Sequence, residues 1–152
     1  IIIEGKTLLE NAVKSDHSTV HLQKGYGWTG EGQIFFKPDT ETGGSLECRF
    51  PVEKEELRQL TLRMTEANDY GIYRILLDGK TVREYVDFYG KSVKTRELNL
   101  GQLVLKPGIY TIRFECLGKR SESRGNDLGI DSVRLRERWN VKRIAPPDVQ
   151  VR

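Results

Sequence analysis

Four aromatic residues stand in loop-like surroundings where packing alone does not account for them. Tyr26 and Trp28 lie in Lys24-Gly25-Tyr26-Gly27-Trp28-Thr29-Gly30-Glu31-Gly32, a stretch whose glycines cannot support a rigid helix or strand and let the backbone present a ring. Tyr70 follows Asn68-Asp69, and Tyr89 sits in Asp87-Phe88-Tyr89-Gly90. An exposed Tyr or Trp ring has a flat apolar face and one polar handle, which makes it a stacking platform if hydrogen-bonding groups stand beside it. Such groups gather in Ser121-Glu122-Ser123-Arg124-Gly125-Asn126-Asp127, where Arg124, Asn126 and Asp127 supply guanidinium, amide and carboxylate. Each has a structural alternative: Trp28 as a rim residue closing a core, Tyr70 and Tyr89 as packing rings, Asn126 and Asp127 as an Asx-type turn.

The other chemistry-bearing residues form no catalytic set. His17 and His21 are four apart, a ligand spacing on a helix, but Ser18-Thr19-Val20 between them favours extended structure. No G-x-S-x-G, H-E-x-x-H, phosphate loop or dinucleotide fingerprint is present. The glycines of 25–32 do not lead from a strand into a helix, so a phosphate cradle fails on context. With 22 acidic residues, some carboxylate pair falls at a glycosidase-like separation by chance; an enzyme would have to work through a carboxylate such as Asp69 or Asp127. The expectation is therefore a non-catalytic protein. Cys48 and Cys116 match no zinc spacing and lie in alternating apolar runs, Leu46-Cys48-Phe50 and Ile112-Phe114-Cys116. They are read either as one inter-strand disulfide or as two small core thiols, with the thiols preferred.

The elements that must hold these residues are strands. A chain of 152 residues fits one domain, and its 37% apolar residues fall in short clusters along the whole sequence. No stretch approaches the roughly 20 apolar residues of a membrane-spanning helix, and Ile1-Ile2-Ile3 is followed at once by Glu4 and Lys6, so neither membrane insertion nor a signal peptide is expected. The start without Met reads as a mature or excised module. Period-2 patterning predicts strands at 20–23, 33–37, 45–51, 57–65, 72–77, 81–88, 94–98, 103–105, 108–117 and 129–137. Asp78-Gly79 between Leu77 and Val82 reads as a type I′ hairpin turn. The one helical candidate is a single turn at 54–57. Leu60, Leu62 and Met64, and again Tyr110, Ile112, Phe114 and Cys116, mark core faces of a two-sheet sandwich or barrel. The domain is placed at 1–138. Residues 139–152, where Ala145-Pro146-Pro147 cannot continue a central strand, are read as a C-terminal linker or strap. Arg134, Arg136, Arg138, Lys142, Arg143 and Arg152 crowd that end, yet the net charge is only +3 and no cationic stripe is interleaved with aromatics, so no nucleic-acid partner is expected.

Several runs stand in a familiar order: Ile3-Glu4-Gly5, Gly27-Trp28, Gly43-Gly44-Ser45-Leu46, then 60–72 with Ala67-Asn68-Asp69-Tyr70-Gly71, then Leu77-Asp78-Gly79. Pro107-Gly108-Ile109-Tyr110 and the closing Gly129-Ile130-Asp131 complete the series. Over about residues 3–137 the chain resembles the galactose-binding-like jelly-roll domains, the fold of many carbohydrate-binding modules attached to secreted bacterial glycoside hydrolases and sulfatases. The resemblance implies an all-β jelly-roll sandwich without catalysis, a glycan ligand, a neighbouring catalytic domain on the parent polypeptide, and an extracellular or periplasmic location. A sugar presents an apolar C–H face and a rim of hydroxyls, and in this fold the ligand often sits at the loop end near the connection before the closing strand, here 121–127. The expected glycan contacts are Tyr26, Trp28, Tyr70, Tyr89, Arg124, Asn126 and Asp127. The resemblance also implies a structural calcium held by Glu4 and Asp131, although Lys6 stands where a second glutamate is common in the family. The alternative is a structural or protein-interaction β-sandwich with no sugar affinity.

Overall fold

The computed structural model describes residues 1–39 and 43–137; the expected linker or strap at 139–152 lies outside them. The alternating pattern becomes eleven strands among the described residues: β1 (Ile2–Glu4), β2 (Val13–Lys14), β3 (Thr19–Gln23), β4 (Gln33–Lys37), β5 (Ser45–Val52), β6 (Glu56–Glu66), β7 (Ile72–Leu77), β8 (Lys80–Asp87), β9 (Lys94–Leu105), β10 (Gly108–Gly118) and β11 (Leu128–Glu137). A single short helix, α1 (Gly5–Glu10), joins β1 to β2. The strands pair antiparallel in two sheets. The larger runs β3-β4-β11-β6-β9 with β1 added to β11, and the smaller runs β2-β5-β10-β7-β8. The chain is thus an all-β jelly-roll sandwich, as the periodicity and the resemblance both imply.

The core lies between the sheets where the alternation places it. Leu60, Leu62 and Met64 of β6 face Ile112, Phe114 and Cys116 of β10, and none of the six is more than 3% exposed. Each such side chain contributes roughly 1.5–3 kcal/mol by leaving water. Asp78 and Gly79 have φ of 47° and 83°, the two positive values that a type I′ turn requires, and Leu77 pairs with Lys80 across it. Cys48 and Cys116 are buried thiols, not a disulfide. Burial, reinforced by Glu47, pushes the Cys48 thiol up to about 12. Cys48 is therefore expected to resist iodoacetamide in the folded protein and to react once denatured; mass spectrometry showing full native alkylation at Cys48 would contradict this packing.

Three local features depart from the sequence reading. The helical turn expected at 54–57 is absent: residues 53–55 turn the corner without helix, and β6 begins at Glu56. The helix is instead α1, whose Leu8 is fully buried; six residues are under two turns, too few to show a 3.6-residue period. Gly5 begins it because a Cβ there would lie 3.1 Å from Gly32 O and Ile34 N. The two short strands read at 94–98 and 103–105 are one strand, β9, with a bulge where Leu60 pairs Gly101 and Thr61 pairs Asn99. A second bulge falls in β11, where Ile130 pairs Met64 but Ser132 pairs Arg63, leaving Asp131 as the extra residue.

Candidate functional site

At one end of the sandwich, three connections are stitched backbone to backbone: 67–71 between β6 and β7, 88–93 between β8 and β9, and 119–127 between β10 and β11. Ala67 N donates to Phe88 O, Phe88 N to Gly71 O, Gly90 N to Ala67 O, Gly71 N to Asp127 O, Asp127 N to Asp69 O and Arg124 N to Asn68 O, at 2.9–3.2 Å. The Ser123 hydroxyl, buried to 4% exposure, spans Tyr70 O at 2.7 Å and Gly125 O at 2.8 Å. Gly71 sits where a Cβ would be 2.7 Å from Gly118 O. With its own main-chain groups so paired, this end is a rigid platform for side chains.

Tyr89 rests on that platform with the Arg120 guanidinium 4.7 Å from its ring centroid. Asp87 fixes both, accepting from Arg120 Nε at 2.7 Å and from Tyr89 N at 2.9 Å. The Asp87–Arg120 pair was not foreseen: Asp87 lies two residues before Tyr89, but Arg120 is remote in sequence and carries no local mark. Arg124 is exposed. Asn126 accepts the Tyr73 hydroxyl proton at its carbonyl, while its side-chain Oδ1 is buried with no partner among the described residues.

Tyr26 and Trp28 stand together, ring centroids 5.2 Å apart and tilted by 48°. Tyr26 is 45% exposed and donates its hydroxyl to Val93 O at 3.2 Å, so the 24–32 loop reaches the 88–93 connection. Trp28 is half-buried, its indole N–H donating 2.9 Å to Thr65 Oγ1. Thr65 in turn donates 2.6 Å to Gln33 Oε1, and the Gln33 amide donates to Tyr70 Oη at 3.0 Å and to Gln23 Oε1 at 2.8 Å. Tyr70 is only 3% exposed, and burial pushes its hydroxyl pKa well above the usual range. The expectation of Tyr70 as a platform is corrected, because its ring packs at 6.2 Å from Phe35 and its hydroxyl ends this buried chain.

Asp127 is 4% exposed, so it is not a freely presented acceptor. Burial raises its carboxyl to about 6; Lys37, 3.9 Å away, opposes the rise, and the neighbouring Asp69 carboxyl adds to it.

Glu4 and Asp131, the calcium ligands that the resemblance implies, have different surroundings, and the Glu4 carboxylate lies against Gly30. Asp131 is wholly buried, but its bulge breaks the inward phase with Val133 and Leu135 and turns the carboxylate to the 24–32 loop. Thr29 N donates to Oδ1 and the Thr29 and Ser132 hydroxyls donate to Oδ2, at 2.6, 2.6 and 2.8 Å. Those are protons facing the carboxylate, whereas a hard cation needs oxygen lone pairs. No group of three or more His, Cys, Asp or Glu is placed to hold a metal among the described residues.

No family model matches the chain, and no curated protein matches it. Solved structures do. A xanthan lyase of Paenibacillus aligns with a TM-score of 0.76 at 20% identity, covering 90% of this chain and 13% of the lyase. A family 35 carbohydrate-binding module of Clostridium thermocellum aligns at 0.57 and 17% identity over 90% of this chain and 97% of that one. A Podospora anserina β-(1,4)-mannanase that carries such a module aligns at 0.55 and 22% identity, covering 90% of this chain and 27% of the enzyme. The fold that the resemblance implies is therefore borne out: the chain has a jelly-roll like that of these modules, and it spans only a small part of the two enzyme chains.

Proposed function

We propose that this chain is a non-catalytic carbohydrate-binding module of a larger, secreted carbohydrate-active enzyme. The observation that carries the reading is the Tyr26–Trp28 pair: one ring is half open to solvent, the other is fixed through its N–H to Thr65, and both sit on a glycine-rich loop tied to the 88–93 connection. A preordered aromatic surface loses little entropy when a sugar face settles on it. Tyr89, Arg124 and the rigid 119–127 connection supply further apolar and polar contacts.

The test is affinity electrophoresis of the wild-type chain against a panel of neutral and acidic polysaccharides. Because Tyr26 is largely exposed, Tyr26→Ala is expected to keep the wild-type melting curve while weakening retention about tenfold, the equivalent of about 1.4 kcal/mol. If none of the polysaccharides retards the wild type, the alternative of a structural or interaction domain takes over. That alternative is favoured by one observation, a cleft of about 780 Å³ in which Ile1, Ile2, Val52 and Leu105 are rimmed by charged groups such as Glu53 and Lys54.

A further inference from the structure

One cationic side chain faces Asp131, and a second holds the neighbouring 24–32 loop. Lys6 stands where a second glutamate was expected, and its Nζ lies 2.7 Å from Glu31 in the 24–32 loop. Arg134, two residues beyond Ser132 on β11, is the more buried of the two, with 15% of its side chain exposed. Its Nη2 donates to Thr29 Oγ1 at 2.9 Å and its Nε to Ser132 Oγ at 3.1 Å. Each of these hydroxyls thus accepts from the guanidinium and gives its own proton to the Asp131 carboxylate. The guanidinium itself stands 3.8 Å from Asp131 Oδ2. Both oxygens of the Asp131 carboxylate accept hydrogen bonds, and the buried negative charge has a positive one facing it.

Glu4 meets the same loop at Gly30. A Cβ on Gly30 would overlap the Glu4 carboxylate, and the φ of 63° at Gly30 favours glycine there as well. The loop that carries Tyr26 and Trp28 is therefore held at Thr29 by β11, at Glu31 by α1, and closely covered at Gly30 by Glu4.

We infer that Arg134 takes the role of a structural cation: it neutralises Asp131 and, through Thr29 and Ser132, clasps the 24–32 loop to the closing strand, making the module independent of calcium. The inference stands apart from the glycan reading, since it concerns how the loop is held, whatever the loop binds.

Melting scans of the 152-residue chain in chelator and in excess calcium test it, together with metal analysis of the purified protein. Wild type is expected to melt at the same temperature in both and to hold no stoichiometric calcium. A calcium-dependent rise in the wild-type melt, or one calcium per chain, overturns the inference. Arg134→Met keeps the apolar stem but strands the Asp131 charge, and its melt is expected about 10 °C lower; a melt equal to wild type also overturns it. For the positioning role, Trp139→Phe leaves Trp28 as the sole tryptophan. In that background Arg134→Met is expected to raise acrylamide quenching of Trp28 about twofold at a temperature where the fold is intact, and Arg134→Lys to raise it less. Unchanged quenching in the folded variant overturns the clasp. Should Arg134→Met fail to fold, the wild-type calcium and metal measurements still decide the cation's identity, and Arg134→Lys decides the clasp.

Discussion

Gly129→Ala is expected to cost about 3 kcal/mol or more of folding stability, lowering the melting temperature by roughly 6–12 °C. The reason is the polar chain that crosses the outer side of the larger sheet. A Cβ on Gly129 would overlap Gln33 Oε1 and lie 2.7 Å from both Gln33 Nε2 and Tyr70 Oη. These groups cannot simply move aside. Gln33 and Thr65 are fully buried, Tyr70 is 3% exposed, and the Gln33 amide is engaged at both ends by Thr65, Tyr70 and Gln23. Displacing the amide leaves buried donors and acceptors unpaired, and an unpaired buried group costs more than a made hydrogen bond gains. The disturbance runs through Thr65 to the Trp28 indole, so tryptophan emission of a Trp139→Phe background should shift red as the indole exchanges Thr65 for water. Urea denaturation that shows Gly129→Ala within about 1 kcal/mol of wild type would refute the network as drawn.

Asp127→Asn is expected to stabilise the chain at pH 7 by about 2 kcal/mol and to leave it nearly unchanged at pH 4. The folded-state pKa of about 6 lies above the ordinary 3.8. Between those values the folded chain keeps a proton that the unfolded chain releases. Stability from this group is therefore present at acid pH and lost as pH rises through about 4 to 6. At neutral pH the wild type folds around a buried carboxylate beside Asp69, only partly offset by Lys37, whose side chain is 65% exposed. The amide carries no charge and can donate to Asp69, while the backbone bonds of residue 127 to Gly71 and Asp69 stay in place. Denaturation midpoints at the two pH values check this directly. A variant less stable than wild type at pH 7 would mean that the carboxylate form is the one the loop requires.

The scaffold was legible because its cause is periodic. Alternation along 57–65 and 110–116 declares which side of each strand is buried, and Asp78-Gly79 declares its own turn by the φ values those residues tolerate. The bulges were not legible, since a single extra residue such as Asp131 or Leu100 leaves composition and alternation almost intact while reversing the side on which the next side chains emerge. Asp131 shows the consequence: in sequence it is in phase with Val133, yet in space it meets Thr29, 102 residues away. The candidate site divides in the same way. Tyr26, Trp28 and Arg124 could be read as presented groups because glycine and turn residues surround them. Tyr70 could not be told from them, as its burial is imposed by Gln33 and Phe35 from a strand far earlier in the chain. Arg120, Gln33 and Thr65 were missed because their roles depend on partners that adjacent sequence does not reveal.

The three connections at the loop end are joined chiefly through main-chain atoms, and Asn68, Lys91 and Arg124 protrude from them into solvent. An amide backbone is common to all residues, so these positions can change chemical character while the stitching survives. Successive exchanges there would retune what the surface prefers without a toll on folding, which makes this rim a natural place for diversification in descent and for combinatorial libraries in the laboratory.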